Sequence, residues 1–258
     1  MDFVTSKDGT RIAYDRMGVG SSVVLVCGGS VDRSINMGVA RLLSDRFTVF
    51  NYDRRGRGPS GDTPPYAIQR EVEDMEAIIE AAGGSASVYG SSSGAALVLE
   101  AATAGALIDQ LALWEPPYSL DRESRPPPDT AKTFTDLVSA GRRDDAVEFF
   151  MADVVGMPRE FVAQARSQPW WGATEKIAHT LAYDATIMGD YEPPVDRFST
   201  IKAPTLLITG SATFPFLHDT ARALAEAIPN AETRMLEGQA HNIADDAIAP
   251  VLKEFFSE

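Results

Sequence analysis

Val88-Tyr89-Gly90-Ser91-Ser92-Ser93-Gly94-Ala95-Ala96 joins two kinds of secondary structure through a turn of three serines. Ser85–Tyr89 before it reads as a buried strand, and Gly94–Ala104 after it as a helix of small residues that packs closely on a sheet. Gly-x-Ser-x-Gly between strand and helix is the spacing of a nucleophile elbow, a strained turn that pushes the serine hydroxyl into the open. Only Ser92 has a glycine two residues away on both sides, where closely approaching backbone leaves no room for a Cβ. A bare match also fits a serine- and glycine-rich loop without chemistry, so the rest of the chain has to decide.

Upstream, Phe3–Ser6 and Arg11–Arg16 flank Lys7-Asp8-Gly9-Thr10, and Asp-Gly between strand-like runs signals a hairpin. Val23–Cys27 is a continuous apolar run of the kind buried on both faces of a parallel sheet; it ends in Gly28-Gly29-Ser30. Asp32–Asp45 is helix-like, Phe47–Tyr52 a strand, and Asp53-Arg54-Arg55-Gly56-Arg57-Gly58-Pro59-Ser60 a polar, glycine-punctuated loop. Ile68–Ala82 carries apolar residues at helical spacing and stops at Gly83-Gly84, as helices commonly do. Gln110–Trp114 is a further strand. Strands alternating with helices argue for an α/β fold with a mostly parallel sheet.

The alternation breaks between Pro116-Pro117 and Tyr191-Glu192-Pro193-Pro194. Helical stretches fill the gap, at Thr130–Gly141, Arg143–Val155, Pro158–Gln168 and Trp171–Met188, and imply an inserted helical region at 116–194. Pro204–Thr209 (strand), Phe216–Ala227 (helix), Glu232–Leu236 (strand) and Asp245–Phe256 (helix) restore the pattern.

Composition narrows the function. With 258 residues the chain is long enough to bury a large core. A net charge of −14 and no lysine- or arginine-rich run argue against nucleic acid or an anionic membrane as partner. One cysteine, Cys27, excludes an internal disulfide and a cysteine-based metal site, and reads as a small buried apolar residue. No metal or organic cofactor is implied. The first residues lack a basic stretch followed by an apolar one, and no apolar run is long enough to span a bilayer, so a cytoplasmic protein is expected.

Three motifs make the whole chain resemble the α/β-hydrolase fold family. One is Gly90–Gly94. The second is Asp53–Ser60, similar to the family's Asp-x-Arg-Gly-x-Gly-x-Ser loop. The third is Glu237-Gly238-Gln239-Ala240-His241-Asn242 after the last strand. The resemblance implies a mostly parallel eight-stranded sheet flanked by helices, made from residues 1–115 and 195–258, with a helical cap, 116–194, inserted after the sixth strand. It implies the order nucleophile, acid, histidine, with Ser92 as nucleophile and His241 as base. His179 and His218 fall on expected helices. Of the oxyanion donors, one N–H is expected from Ser93. The other is expected from Gly29, because Cys27-Gly28-Gly29 stands where the family commonly has His-Gly-x.

The acid departs from the family pattern. An aspartate commonly follows the seventh strand, three residues past a glycine, but Gly210-Ser211-Ala212-Thr213 puts a threonine there. Glu115, directly after the sixth strand, is the preferred substitute, with Asp219, Asp245 and Asp246 as alternatives. The last two also suit the N-terminus of the final helix. Asp53 to Arg57 are expected to be a hydrogen-bonded loop rather than an anion site, and Asp184 and Asp190 to be solvated. Cap aromatics such as Phe134, Trp171 and Tyr183, with Phe214 and Phe216, are expected in the cap core and along an apolar cleft.

The function expected is a serine hydrolase cleaving a small, fairly apolar carboxylic ester or lactone through an acyl-enzyme on Ser92. The alternatives are a cofactor-free lyase, cyclase or perhydrolase of the same fold, and a ligand-binding protein with a degenerate triad. Substrate identity and oligomeric state are not encoded in any motif.

Overall fold

A computed structural model describes residues 1–257. Eight strands form one sheet in the order β1-β2-β4-β3-β5-β6-β7-β8: β1 Asp2–Thr5, β2 Arg11–Met17, β3 Ser21–Val26, β4 Phe47–Tyr52, β5 Ala86–Ser91, β6 Ile108–Trp114, β7 Thr205–Gly210 and β8 Ala231–Leu236. β1 pairs with β2 and β2 with β4 antiparallel, and every later pairing is parallel. This is the expected α/β-hydrolase architecture, with its antiparallel part confined to the opening strands. β4 and β7 are buried along their whole length, and β3 closes in the buried apolar run Val23–Val26, as strands covered on both faces do.

Helices cover both faces. α1 (Met37–Leu43) and α11 (Asp245–Phe255) pack Val39, Leu43, Ile248 and Leu252 against Val23, Leu25, Val49 and Ile208. On the other face, α2 (Ile68–Ala81), α3 (Ser93–Thr103) and α10 (Pro215–Ala227) bury Met75, Ile78, Leu97 and Leu224 against Val24, Val88 and Leu113. No helix among the described residues is long and apolar enough to cross a membrane.

Everything between β6 and β7 is helix and loop: α4 (Thr130–Ser139), α5 (Arg143–Phe149), α6 (Arg159–Ala165), α7 (Trp171–Lys176), α8 (Leu181–Met188) and α9 (Val195–Phe198). Phe134, Val147, Trp171 and Leu181 form a separate apolar cluster there. Two expected helices are subdivided. The one over 143–155 ends in a wider π-turn at Phe150–Val154. The one over 171–188 is interrupted at Ala178–Thr180, where the Thr180 hydroxyl donates to the Ile177 carbonyl at 2.8 Å and so competes with the helical ladder.

Candidate active site

The elbow is built as its glycines require. Ser92 follows β5 with φ 54° and ψ −126°, a conformation an L-residue holds only under constraint. Its N–H donates to the Trp114 carbonyl at 2.8 Å, and its own carbonyl accepts from Ala95 and Ala96 to start α3. A Cβ on Gly90 would stand 2.8 Å from Ala95 Cα, and one on Gly94 would stand 2.5 Å from the Cys27 carbonyl oxygen. Glycine at these positions lets the turn close and lets α3 lie against the end of β3.

Ser92, His241 and Glu115 come together across the C-terminal ends of β5, β8 and β6. Ser92 Oγ lies 3.2 Å from His241 Nε2, and His241 Nδ1 lies 2.6 Å from Glu115 Oε2. The histidine ring is partly open, its side chain 34% exposed, whereas Glu115 is fully enclosed. Burying a carboxylate is costly unless its oxygens are satisfied. Here Gly210 N–H donates to Oε1 at 2.8 Å and the Thr213 hydroxyl to Oε2 at 2.9 Å. The Glu115 backbone has φ 45°, and the Trp114 indole N–H holds the His241 carbonyl at 2.9 Å.

The alternatives for the acid are used elsewhere. Asp245 and Asp246 occupy the first turn of α11, where negative charge suits the helix dipole. Asp219 is exposed and bonded to Arg222. Gly28 and Gly29 run beside the elbow: a Cβ on Gly28 would stand 3.1 Å from Ser92 Cβ, and one on Gly29 would stand 3.5 Å from Ser93 Oγ. Among the described residues no acceptor takes the Gly29 N–H. Ser93, as the first residue of α3, has no carbonyl of its own helix to reach.

Residues 23–254 match the model of the Alpha/beta hydrolase family. The chain belongs to that family. An alpha/beta hydrolase from Sphaerobacter thermophilus is 51% identical, with a TM-score of 0.93 over 99% of this chain and 100% of that one. A thermophilic esterase from Thermogutta terrifontis shares 19% identity at a TM-score of 0.73, over 99% of this chain and 97% of that one. The enol-lactonase from Burkholderia xenovorans shares 22% identity at a TM-score of 0.74, over 100% of both chains. At such identities the last two share the fold.

In this α/β hydrolase the Asp53–Ser60 loop is densely hydrogen-bonded, although Arg57 Nε is buried without a partner among the described residues. Asp53 accepts from the backbone and guanidinium of Arg33, and Arg55 is held by Asp74 and Asp8. Arg54 donates to Glu71 at 2.7 and 2.8 Å and to Asp184 at 2.7 Å. Arg57 donates to both oxygens of Asp184, at 2.9 and 2.8 Å, and to the Gly28 carbonyl.

Asp184 therefore departs from the sequence expectation. It is buried, not solvated, and also accepts the Ser93 hydroxyl at 2.8 Å. Burial pushes its carboxyl up, but Arg57, Arg54 and Ser93 outweigh burial and hold it below the ordinary carboxylate value. A signal was present in the sequence: Asp184 is the lone charge in Leu181–Met188, where Leu181, Ala185, Ile187 and Met188 are also buried.

The aromatics divide. Phe134 and Trp171 are buried in the apolar cluster of the α4–α8 region, whereas Phe161 and Trp170 are exposed. Tyr183 stacks on Tyr66, their ring centres 3.9 Å apart. Phe214 stacks on Phe216, and Phe216 with Leu120 lines a surface depression of about 350 Å³ that does not include Ser92.

Proposed function

We propose that this α/β hydrolase is a serine hydrolase acting on a small, fairly apolar carboxylic ester or lactone. The observation carrying the reading is the continuous relay from Ser92 Oγ through the His241 ring to a buried, threefold-bonded Glu115. A serine hydroxyl is a weak nucleophile until an adjacent base takes its proton. The esterase and enol-lactonase that share the fold support this substrate class.

Ser92 Oγ attacks the carbonyl carbon while His241 Nε2 accepts its proton. Charge builds on the former carbonyl oxygen, where the Gly29 and Ser93 N–H groups stabilise it. The tetrahedral adduct collapses, the carbon–oxygen bond to the leaving group breaks, and His241 hands that oxygen its proton. Water then adds to the acyl-enzyme with His241 again as base, releasing the acid and restoring Ser92. Glu115 keeps the Nδ1–H tautomer, so that Nε2 faces the serine with a lone pair. The helical segment 116–194 acts as a cap that selects the substrate.

The test is hydrolysis of p-nitrophenyl acetate together with labelling by a serine-directed phosphonate. Ser92→Ala should lose both, and the phosphonate should be found on Ser92 of the wild type by mass spectrometry. A folded wild-type protein that neither turns over activated esters nor takes the label would overturn the reading and favour a ligand-binding role. Failure to incorporate oxygen from ¹⁸O-labelled water into product would favour the cofactor-free lyase, cyclase or perhydrolase reading.

A further inference from the structure

We propose that Arg57 sets the oxyanion hole, and that Asp184 makes this setting depend on the helical segment above the sheet. The proposal rests on the Ser92 hydrolase reading and deepens it.

The argument starts from one peptide bond. The Gly28 carbonyl and the Gly29 N–H belong to the same peptide unit, and in a trans peptide they point in opposite directions. A donor that grips the oxygen therefore aims the N–H to the other side. Arg57 Nη1 is that donor, bonding the Gly28 carbonyl and, at 3.1 Å, the Val31 carbonyl two residues beyond Gly29. A grip is needed because this peptide lies between two glycines. Glycine visits positive and negative φ almost equally, so nothing local prevents the unit from turning over. Turned over, it would present a carbonyl dipole to the developing oxyanion in place of a donor.

Arg57 is itself fixed from one side. Its Nη2 donates to both oxygens of Asp184 on α8, and Asp184 Oδ1 also accepts the hydroxyl of Ser93, the residue proposed to supply the second oxyanion donor. Both halves of the hole are thus tied to one carboxylate from the segment between β6 and β7. The buried charges of the cluster balance, Arg54 and Arg57 against Glu71 and Asp184, so it places no net charge behind the hole. Its effect is geometric: Arg57 is a positioning residue, acting through the Gly28–Gly29 peptide.

The experiment measures kcat and KM for p-nitrophenyl acetate, and the inhibition constant of a trifluoromethyl ketone, for wild type, Arg57→Lys and Asp184→Asn. The ketone forms a tetrahedral adduct that needs the hole. Lysine keeps the charge but cannot span two carbonyls and a carboxylate with one ammonium. Both variants should lose kcat toward the ~10²–10³-fold seen when one oxyanion donor is removed, with ketone affinity falling in parallel and KM little changed. Asp62→Asn, which loosens the Tyr183 contact elsewhere on the same seam, should leave kcat near wild type.

A folded Arg57→Lys variant with wild-type kcat and ketone affinity overturns the proposal. Should both variants fail to fold, the crystal structure of the wild-type phosphonate adduct decides. A phosphoryl oxygen within hydrogen-bond reach of the Gly29 and Ser93 nitrogens, with Arg57 still on the Gly28 carbonyl, supports the proposal; an oxygen bound without the Gly29 N–H overturns it. Absence of any adduct on wild-type Ser92 would instead overturn the hydrolase reading beneath it.

Discussion

Glu115→Gln separates a carboxylate that sets the histidine tautomer from one that merely fills space. Glutamine keeps the shape, and the surrounding donors decide how its amide sits. Glu115 Oε1 accepts the Gly210 N–H at 2.8 Å, while Oε2 faces His241 Nδ1 and the Thr213 hydroxyl. If the amide NH2 replaced Oε1 it would meet the buried Gly210 N–H donor to donor, a loss of about 1–3 kcal/mol. The Thr213 hydroxyl can donate or accept, so it does not oppose the other orientation. The amide oxygen therefore stays on Gly210 and the NH2 turns to the histidine. Nδ1 must then accept, the ring proton moves to Nε2, and the base facing Ser92 has no lone pair to offer.

From the orientation penalty alone, roughly one molecule in 5 to 150 keeps the productive tautomer, and the charge opposing the imidazolium is gone as well. The expected fall in kcat is toward the ~10⁴-fold of an aspartate-to-asparagine change in a protease triad, about 5.4 kcal/mol at 1.36 kcal/mol per factor of ten. Steady-state hydrolysis of p-nitrophenyl acetate measures it, with thermal melting to show that the fold persists. A folded variant whose kcat stays within about fivefold of wild type, the smallest loss the penalty allows, would refute the role of Glu115 and the tautomer argument together.

Thr213 Oγ1 stands 2.9 Å from Glu115 Oε2, so adding Thr213→Asp to the Glu115→Gln variant should restore part of the lost rate. In the wild-type background the same change sets two carboxylates side by side and should lower the melting temperature at neutral pH, less so in acid, where the pair shares a proton. Asp184 is held below its ordinary carboxylate value of 3.8 by Arg57, Arg54 and Ser93 despite burial. Its stabilisation is therefore present above that ordinary value and lost as pH falls through the lowered one. The stability gap between wild type and Asp184→Asn in urea should accordingly narrow as the medium is acidified through that range, and a gap constant with pH would contradict it. Gly94→Ala puts a Cβ 2.5 and 2.6 Å from the Cys27 and Val26 carbonyl oxygens. That clash is with backbone that cannot swing aside, so a cost of at least ~1–3 kcal/mol in urea unfolding is expected.

What the sequence displayed clearly was whatever depends on local pattern. Val23–Cys27 is an unbroken apolar run because helices bury both faces of the sheet, and Gly90 and Gly94 mark the elbow because the backbone passes too closely for a side chain. That His241 would stand beside the elbow was legible from its place after the last strand. Glu115 was the preferred acid from its place directly after the sixth strand, once Thr213 stood at the usual acid position, and its carboxylate does lie on the His241 ring. Its convergence with Gly210 and Thr213 depends on β6 lying beside β7, a pairing across about a hundred residues that no local pattern records. Asp184 was misread for the same reason. An aspartate on a helix defaults to solvent, and its partners lie far away in the chain, Arg54 and Arg57 on the loop after β4 and Ser93 at the start of α3. The interruption at Ala178–Thr180 went unseen because a threonine bonding back to its own backbone leaves the apolar spacing unchanged.

With the proposed acid after β6, neighbouring residues hold the histidine. Trp114 and Glu115 are consecutive, and they grip His241 at two points, the indole N–H on its carbonyl and the carboxylate on its Nδ1. The arrangement requires Glu115 to adopt φ 45°, at a cost on the order of 1–3 kcal/mol for a non-glycine residue. The backbone bond from the Glu115 N–H to Ile208 and the donors Gly210 and Thr213 hold it there. Thr213 has therefore not simply lost the usual acid. Its hydroxyl donates to the carboxylate that replaces it, so the strand-end position that ordinarily supplies the charge here supplies a hydrogen bond to it. In the proposed triad the charge thus follows β6, and its support comes from the end of β7 and the loop after it.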